Sequence, residues 1–230
     1  MYRTRSWRAL GVSVGILACL PTNAHAAGGP YVVDDAAIGN VGDCQVESWR
    51  SSATSGDFIG TAQPACVVRL GIPVEITAAF HGVRFEGEWA ALKGLQIKFP
   101  LLFGLRDLTA AFVIGGLVDI TNGEGLTFVN VPLTIKVRDN FRLNVNSGWL
   151  FNTESDTRHL TWGGSFEWDF QKSWTLIAEV FGLTGNNSEP RIQAGIRHAP
   201  TKAVDLDLVY GHNLTGEQAN WLTAGVTFRF

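Results

Sequence analysis

Residues 221–230, WLTAGVTFRF, alternate between apolar side chains and polar or small side chains over ten positions. The even-numbered positions are all apolar and finish on Phe228 and Phe230, whereas the odd-numbered positions include Thr223, Thr227 and Arg229. A period of two residues places successive side chains on opposite faces of an extended strand. The stretch therefore predicts a β-strand with one apolar face and one largely polar face.

This aromatic-ended strand resembles the closing strand of bacterial outer-membrane β-barrels. In that family the assembly machinery recognises the terminal strand, so the resemblance implies that Phe228 and Phe230 form an assembly signal for the outer membrane. Residues 190–197 (PRIQAGIR), 205–211 (DLDLVYG) and 213–217 (NLTGE) look similarly like the final hairpins of small, poorly characterised proteobacterial outer-membrane proteins, some of them porin-like. The resemblance implies contact with membrane lipid and lipopolysaccharide, and it implies no catalytic residue.

The beginning of the chain is typical of an exported protein. Three arginines within the first eight residues precede an apolar stretch at 9–20, and Ala24-His25-Ala26 supplies small residues at the positions that a signal peptidase reads. We therefore expect residues 1–26 to be a removed signal peptide. The alternative is a lipoprotein cleavage box at residues 16–19 with Cys19 as the lipidated residue, but Leu17 fits that pattern poorly.

Composition distinguishes between the possible classes of membrane protein. After residue 27 the sequence has no apolar run of about 20 residues, as a membrane-spanning helix needs. The mean hydropathy is nevertheless +0.10, with 26 glycines and only 17% charged residues. A closed barrel satisfies its backbone polar groups between strands that are apolar on one face only, so this composition permits a barrel. The net charge of −3 and the absence of a basic cluster argue against nucleic-acid binding.

Twelve segments alternate like strands, and the connections between them alternate between short and longer from the middle of the chain onward. They are residues 44–50, 62–70, 73–85, 89–101, 108–120, 126–137, 141–151, 159–170, 174–183, 191–199, 204–214 and 221–230. We predict an all-β protein: a closed antiparallel transmembrane β-barrel with up-and-down topology over residues 44–230, preceded by a periplasmic lead at 27–43. Pro64 weakens the first hairpin, so ten strands is the alternative count.

A soluble β-sandwich or a lipocalin-like barrel would also show alternation. However, the large aromatic residues concentrate near strand ends, as in the two interfacial girdles of a membrane barrel. They are Trp149, Phe151 and Trp162 towards one end, and Phe141, Trp168, Phe170, Trp174, Phe228 and Phe230 towards the other. A barrel of ten or more strands is also too wide to be filled by its own apolar side chains, so the apolar face should face lipid.

Charged side chains then fall on the inner face, where both signs alternate. We predict a lumen charge ladder of Arg142, Glu167, Asp169, Glu179, Arg197, Asp205, Asp207 and Arg229. Hairpin registers centred on the turns place Arg142 opposite Asp169 and Arg197 opposite Asp207, with Arg229 beside Asp205 or Asp207. Opposite charges across neighbouring strands stabilise a sheet and largely cancel one another's potential. The ladder therefore favours a structural barrel or a narrow passive channel for small polar solutes.

Two other functions remain open. A binding or adhesion barrel would use the loops at 184–190 and 215–220, although these carry Glu189 and Glu217 and no basic residue to meet an anionic surface. A membrane-embedded hydrolase would need rim residues such as Asp156 and His159, since the predicted cross-strand neighbours of Ser147 are Val131 and Gly164 and no histidine is adjacent to it. We expect a channel and no enzyme, and the sequence indicates no cofactor and no oligomeric state.

Two cysteines, Cys44 and Cys66, remain after the signal peptide is removed. A turn centred on Ser55-Gly56 places them directly opposite each other in the first hairpin. An oxidising compartment then predicts a disulfide that fastens this weak hairpin. A metal site is not expected, because no third ligand is close to them in sequence.

Overall fold

The computed structural model describes residues 29–102, 106–152, 155, 157–185, 190–215 and 219–230. The predicted signal peptide and Cys19 lie outside these residues. The strands are β1 Cys44–Ala53, β2 Phe58–Leu70, β3 Ile72–Phe85, β4 Glu88–Leu102, β5 Leu108–Asp119, β6 Gly125–Arg138, β7 Phe141–Asn152, β8 Thr157–Gln171, β9 Trp174–Leu183, β10 Arg191–Thr201, β11 Val204–Asn213 and β12 Trp221–Arg229. Within the described residues, no helix is long and apolar enough to cross a membrane.

Each strand pairs antiparallel with its neighbours in sequence, and β1 closes the sheet against β12. The closing register pairs Gln45 with Arg229 and Ala53 with Trp221. Closure leaves no strand edge with unpaired backbone groups. The predicted twelve-stranded closed meander is confirmed.

The first hairpin is longer than the sequence indicates. β1 and β2 have 10 and 13 residues, whereas the sequence predicts only residues 44–50 and 62–70. Pro64 lies inside β2, and the register of β2 with β3 is the same on both sides of it. Proline weakens a strand by removing one donor, but pairing on both sides of it holds β2 in the sheet.

The connections differ between the two ends of the barrel. At the end where β1 begins and β12 ends, which we call the terminal end, Gly71 alone joins β2 to β3 and two residues join β6 to β7. At the opposite end, the loop end, seven residues each join β9 to β10 and β11 to β12. The connections at the loop end are not all long, because β3 and β4 are joined by the two-residue turn 86–87, in which both Glu86 and Gly87 have positive φ.

The two faces of the wall alternate as predicted. Outward side chains are exposed and mostly apolar, as in β11, where Leu206, Leu208 and Tyr210 are 45%, 57% and 54% exposed. Exposed outward tryptophans lie near both ends, with Trp149 near the loop end and Trp168 near the terminal end. This distribution matches the aromatic girdles of a membrane barrel.

One predicted register is wrong by two residues. Arg142 lies opposite Glu167 and not opposite Asp169, and Ser147 lies opposite Trp162 and not opposite Gly164. The cause is the position of the turn, because β7 continues to Asn152 and β8 begins at Thr157. Two other predicted registers, Arg197 opposite Asp207 and Cys44 opposite Cys66, are confirmed.

Candidate functional site

The lumen of the barrel contains part of its own chain. Residues 29–43, which we call the N-terminal segment, precede β1 and fold back along the inner wall. Tyr31, Val33, Asp34 and Asp35 are each at most 1% exposed. Reasoning from the sequence missed this placement, since it treated residues 27–43 only as a lead before the barrel.

Glu179 of β9 holds the start of the segment. Its two carboxylate oxygens accept hydrogen bonds from the backbone N–H groups of Val32 at 2.7 Å and Val33 at 3.1 Å. Gln193 on β10 donates to the same carboxylate at 2.7 Å and to the main-chain carbonyl of Pro30 at 3.0 Å. A predicted member of the charge ladder thus binds backbone donors of the segment.

Lys98 of β4 holds the middle of the segment. Its ammonium nitrogen lies 3.2 Å from Asp34 and 3.4 Å from Asp35, and all three side chains are completely buried. Buried charges need close partners because water no longer solvates them. Lys98 was not predicted from the sequence. A signal was available, because Lys98 is a single cation in an otherwise apolar strand end and faces inward like Gln96 and Leu92.

A chain of hydrogen bonds connects the end of the buried stretch with β6, β7 and β8. The backbone N–H of Ala36 donates to Thr134 at 2.9 Å, and Thr134 donates to Asn144 at 2.7 Å. Asn144 donates to Glu167 at 2.7 Å, and Arg142 forms an ion pair with Glu167 at 2.9 Å. The first part of the predicted ladder is therefore connected to the N-terminal segment.

Asp169 lies at the terminal end of this group. Arg142 contacts it at 3.3 Å, and the Thr175 hydroxyl donates to it at 2.7 Å. Arg142 thus bridges two carboxylates on β8, one opposite it and one nearer the turn.

Four ladder residues form a second ionic group on β10, β11 and β12. Arg197 makes hydrogen bonds of 2.8 and 3.3 Å to the two oxygens of Asp207 and lies 3.8 Å from Asp205. Arg229 forms an ion pair with Asp205. Asp205 therefore contacts both arginines, whereas Asp207 pairs with Arg197.

Tyr31 packs beside this ionic group. Its ring centroid lies 5.5 Å from the Arg197 guanidinium carbon, within range of a cation–π contact. Burial raises the pKa of the Tyr31 phenol well above its ordinary value, and the charge of Asp207 raises it further. The phenol is therefore neutral at physiological pH.

Glycines on the inner wall make room for the segment. A Cβ on Gly163 would lie 2.7 Å from Cγ2 of Val33, and a Cβ on Gly195 would lie 2.7 Å from the Tyr31 hydroxyl. Real Cβ atoms essentially never come this close to another heavy atom. Glycine at these two positions therefore leaves the space that the Val33 and Tyr31 side chains occupy.

The loop half of the lumen differs from the expected polar interior. From β3 to β7 and on β9, several inward side chains there are buried and apolar. They include Val83, Leu92, Leu117, Leu126, Phe128, Leu150 and Phe181. A cavity opens among several of these residues, with Val32 and Val33 of the N-terminal segment in its lining.

The other predicted site residues lie away from this interior. A disulfide joins Cys44 and Cys66, as predicted. Phe228 and Phe230, predicted as the assembly signal, are 50% and 78% exposed at the terminal end.

The residues named for the alternative functions are only partly described. Asp156, Glu189 and Glu217 lie outside the described residues. His159 is paired with the main-chain carbonyl of Thr184 at 3.3 Å. No cluster of three or more metal-ligating side chains occurs in the described part of the chain.

A family model described as "Uncharacterised conserved protein UCP029691" matches residues 15–230. The chain belongs to this family. No curated protein matches the sequence significantly.

Solved structures of bacterial outer-membrane barrels share the fold, which confirms the predicted resemblance. The COG4313 outer membrane channel from Pseudomonas putida F1 has a TM-score of 0.67 at 10% identity, over 85% of this chain and 98% of the channel. The KdgM porin has a TM-score of 0.63 at 10% identity, over 81% of this chain and 99% of the porin. Omp33 from Acinetobacter baumannii has a TM-score of 0.55 at 12% identity, over 82% of this chain and 98% of Omp33.

Proposed function

We propose that this protein is a narrow porin-like channel for small solutes, and that its N-terminal segment occludes the lumen in its resting state. The observation that carries the proposal is the path of residues 29–36 through a closed twelve-stranded barrel, with contacts to β4, β6, β9 and β10. The shared fold with porins and channels supports the same class of function.

Barrel width gives the physical reason for this proposal. A barrel of about eight strands can fill its interior with wall side chains, whereas wider barrels leave space. Here a segment of the same chain occupies that space, and hydrogen bonds and ion pairs anchor it to the wall. Such contacts break and reform, so displacement of the segment opens a passage between the two ends. The paired charges of the ladder leave little net potential and predict weak ion selectivity.

The proposed location is the bacterial outer membrane, with the terminal end in the periplasm. Short turns at that end and longer loops at the other are the pattern of outer-membrane barrels. The outer face then contacts lipid and, in the outer leaflet, lipopolysaccharide. The exposed Phe228 and Phe230 are accessible for recognition by the barrel-assembly machinery.

A reversible crosslink tests the proposal. Val33→Cys and Gly163→Cys introduce two thiols at positions where the Val33 side chain and a Cβ on residue 163 would nearly touch, so a disulfide is sterically accessible. In planar bilayers we expect the oxidised double variant to show no conductance steps, because the segment is fixed in the lumen. Reduction should restore the steps of the wild-type protein.

The controls are the two single variants and the wild type, each with and without reductant, since reductant also attacks Cys44–Cys66. If the oxidised double variant conducts like the reduced one, the segment does not occlude the passage. If the wild type and the reduced variant are both silent over a wide voltage range, the protein is no channel.

A further inference from the structure

The outer face of the wall carries three basic side chains close together in the loop half of the barrel. Arg50 on β1, Arg84 on β3 and Lys93 on β4 are exposed and lie in the outward phase of their strands. Arg158 on β8 also points outward in this half. Among the described strand residues, no aspartate or glutamate lies in the outward phase of the loop half. The outward-facing charges there are therefore all positive, and we call the first three residues the basic patch.

The strand registers bring the three cations together. One row of directly paired outward positions crosses the four strands β1 to β4, namely Arg50, Gly60, Gly82 and Ala91. Arg84 lies two residues from this row towards the loop end, and Lys93 lies two residues from it towards the terminal end. With strands about 4.8 Å apart and a rise of about 3.3 Å per residue, the Cα atoms of the three cations lie about 12–16 Å from one another.

Small residues form the surface between the three cations. A Cβ on Gly82 would meet nothing within 4 Å, and a Cβ on Gly60 would meet only a backbone oxygen at 4.0 Å. Ala91 adds a single methyl group to the same row. The wall is therefore recessed between long basic side chains, so that a bound group can approach the backbone.

Aromatic side chains place the basic patch at the depth of lipid head groups. Phe58 and Trp89 pack edge to face, with ring centroids 5.1 Å apart, and the guanidinium carbon of Arg50 lies 4.5 Å from the centroid of the Phe58 ring. Arg84 lies opposite both aromatic residues in the register. Tryptophan is enriched at the boundary between hydrocarbon and head groups. The long side chain of Lys93 extends towards the same boundary, as basic side chains near a membrane surface do.

The protein supplies no counter-charge for the basic patch. Among the described residues, Arg50, Arg84 and Lys93 form no ion pair. Cations on the lipid-facing wall of a barrel are unfavourable in the hydrocarbon layer and tolerated near its boundary. A second copy of the chain offers no complementary charge from the described part of its outward wall in this half. Anionic head groups of the surrounding leaflet do offer it.

We propose that the basic patch binds the phosphorylated sugar head group of lipopolysaccharide in the outer leaflet. The phosphates accept charge-assisted hydrogen bonds from the two arginines and the lysine, and the sugars lie over the glycine-lined recess. A phospholipid carries one phosphate, whereas this glycolipid carries a phosphate at each end of a disaccharide and so matches cations spread over this distance. The inference rests on the proposed outer-membrane location and orientation of the barrel and is independent of conductance.

The test measures lipid binding to the detergent-purified protein by native mass spectrometry. The probes are diphosphoryl lipid A, monophosphoryl lipid A and phosphatidylglycerol, and we expect the wild type to bind them with affinity falling in that order. Replacing the patch removes this preference in the triple variant Arg50→Gln, Arg84→Gln and Lys93→Gln. Since one basic residue at a membrane surface contributes about fivefold to binding, the affinity for diphosphoryl lipid A should fall at least tenfold.

The matched control changes the same residue types at the other end of the barrel. Arg69, Arg138 and Lys172 are exposed at the terminal end, so replacing all three with glutamine removes the same charge as the patch variant. We expect this control to bind diphosphoryl lipid A like the wild type. Heat-modifiable migration on a gel verifies that both triple variants fold, and the comparison of the three lipids on the wild type stands even if one of them does not.

Each outcome decides the inference. If the patch variant binds diphosphoryl lipid A like the wild type, or the wild type binds phosphatidylglycerol equally well, the proposal is wrong. An equal loss in the control would assign the binding to net charge and also overturn it. Conductance is measured separately: binding without conductance keeps the lipid site and removes the channel, whereas conductance without selective binding keeps the channel and removes the lipid site.

Discussion

The terminal half of the lumen is built from ion pairs around the N-terminal segment, whereas the loop half is built from apolar side chains around a cavity. In the terminal half, Lys98 and Arg197 are nearly or completely buried against carboxylates. In the loop half, Phe128 and Phe181 are also buried, but they lie among apolar side chains around the cavity. Ion pairs have a defined geometry and position the segment, whereas apolar contacts are not directional. The difference separates an ionic layer around the segment, which we call the closing layer, from an apolar layer.

The largest effect should follow from removing the cation of the closing layer. Lys98→Met leaves the buried carboxylates of Asp34 and Asp35 without the ammonium group, and breaking such a pair costs about 3–5 kcal/mol. Because both aspartates belong to the segment and not to the wall, the expected response is release of the segment with the barrel intact. Conductance in planar bilayers should rise, and a protease added at the terminal side should cut the segment.

The matched control is Lys136→Met. Lys136 contacts Asp139 at 2.8 Å, but the two side chains are 47% and 98% exposed, and exposed pairs contribute little. The hydrogen bond from Lys136 lowers the pKa of Asp139. Any stabilisation from this hydrogen bond is therefore present above pH about 4, the pKa of an unfolded aspartate. It disappears as the pH falls through the lower pKa of Asp139 in the folded protein. If Lys98→Met behaves like this control, ion pairing does not hold the segment.

A smaller effect should follow from Asp207→Ala in the second ionic group. Arg197 loses hydrogen bonds of 2.8 and 3.3 Å but keeps Asp205 at 3.8 Å, so we expect a loss of about 2–3 kcal/mol. Net positive charge also appears in the lumen, which should shift the reversal potential towards anion preference. Heat-modifiable migration and bilayer recordings measure the two effects. Unchanged stability and unchanged ion preference would show that Asp207 faces bulk water in the working protein.

The wall could be predicted from the sequence because alternation reports directly on which face of a strand is apolar. Cys44 opposite Cys66 and Arg197 opposite Asp207 followed from turns whose centres were clear. The partner of Arg142 could not be derived in this way, because the sequence between β7 and β8 does not show where the turn is centred. An error of one residue in a turn centre moves every partner by two.

The N-terminal segment could not be predicted, because an irregular stretch has no period and its partners are distant in sequence. Glu179 lies 147 residues from Val32, and Lys98 lies 64 residues from Asp34. One signal of the apolar lumen was available in β6, where Leu126 and Phe128 face inward while Val129 and Val131 face outward. A strand that is apolar on both faces is typical of burial on both sides.

The smallest effect should come from the packing between the segment and the wall. Gly195→Ala places a methyl group 2.7 Å from the Tyr31 hydroxyl and 2.6 Å from the main-chain carbonyl of Leu208. Overpacking of this kind costs about 1–3 kcal/mol, and it should move Tyr31 away from Arg197 and loosen the start of the segment. A faster rate of proteolytic cleavage within the segment measures this. Gly164→Ala is the control, since its Cβ would meet nothing closer than 3.9 Å. Adding Tyr31→Phe to Gly195→Ala should recover part of the loss if the hydroxyl is the obstacle. No recovery would assign the cost to the wall, where the carbonyl of Leu208 lies at 2.6 Å and Cγ2 of Val209 at 2.7 Å, and would contradict a contact with the segment.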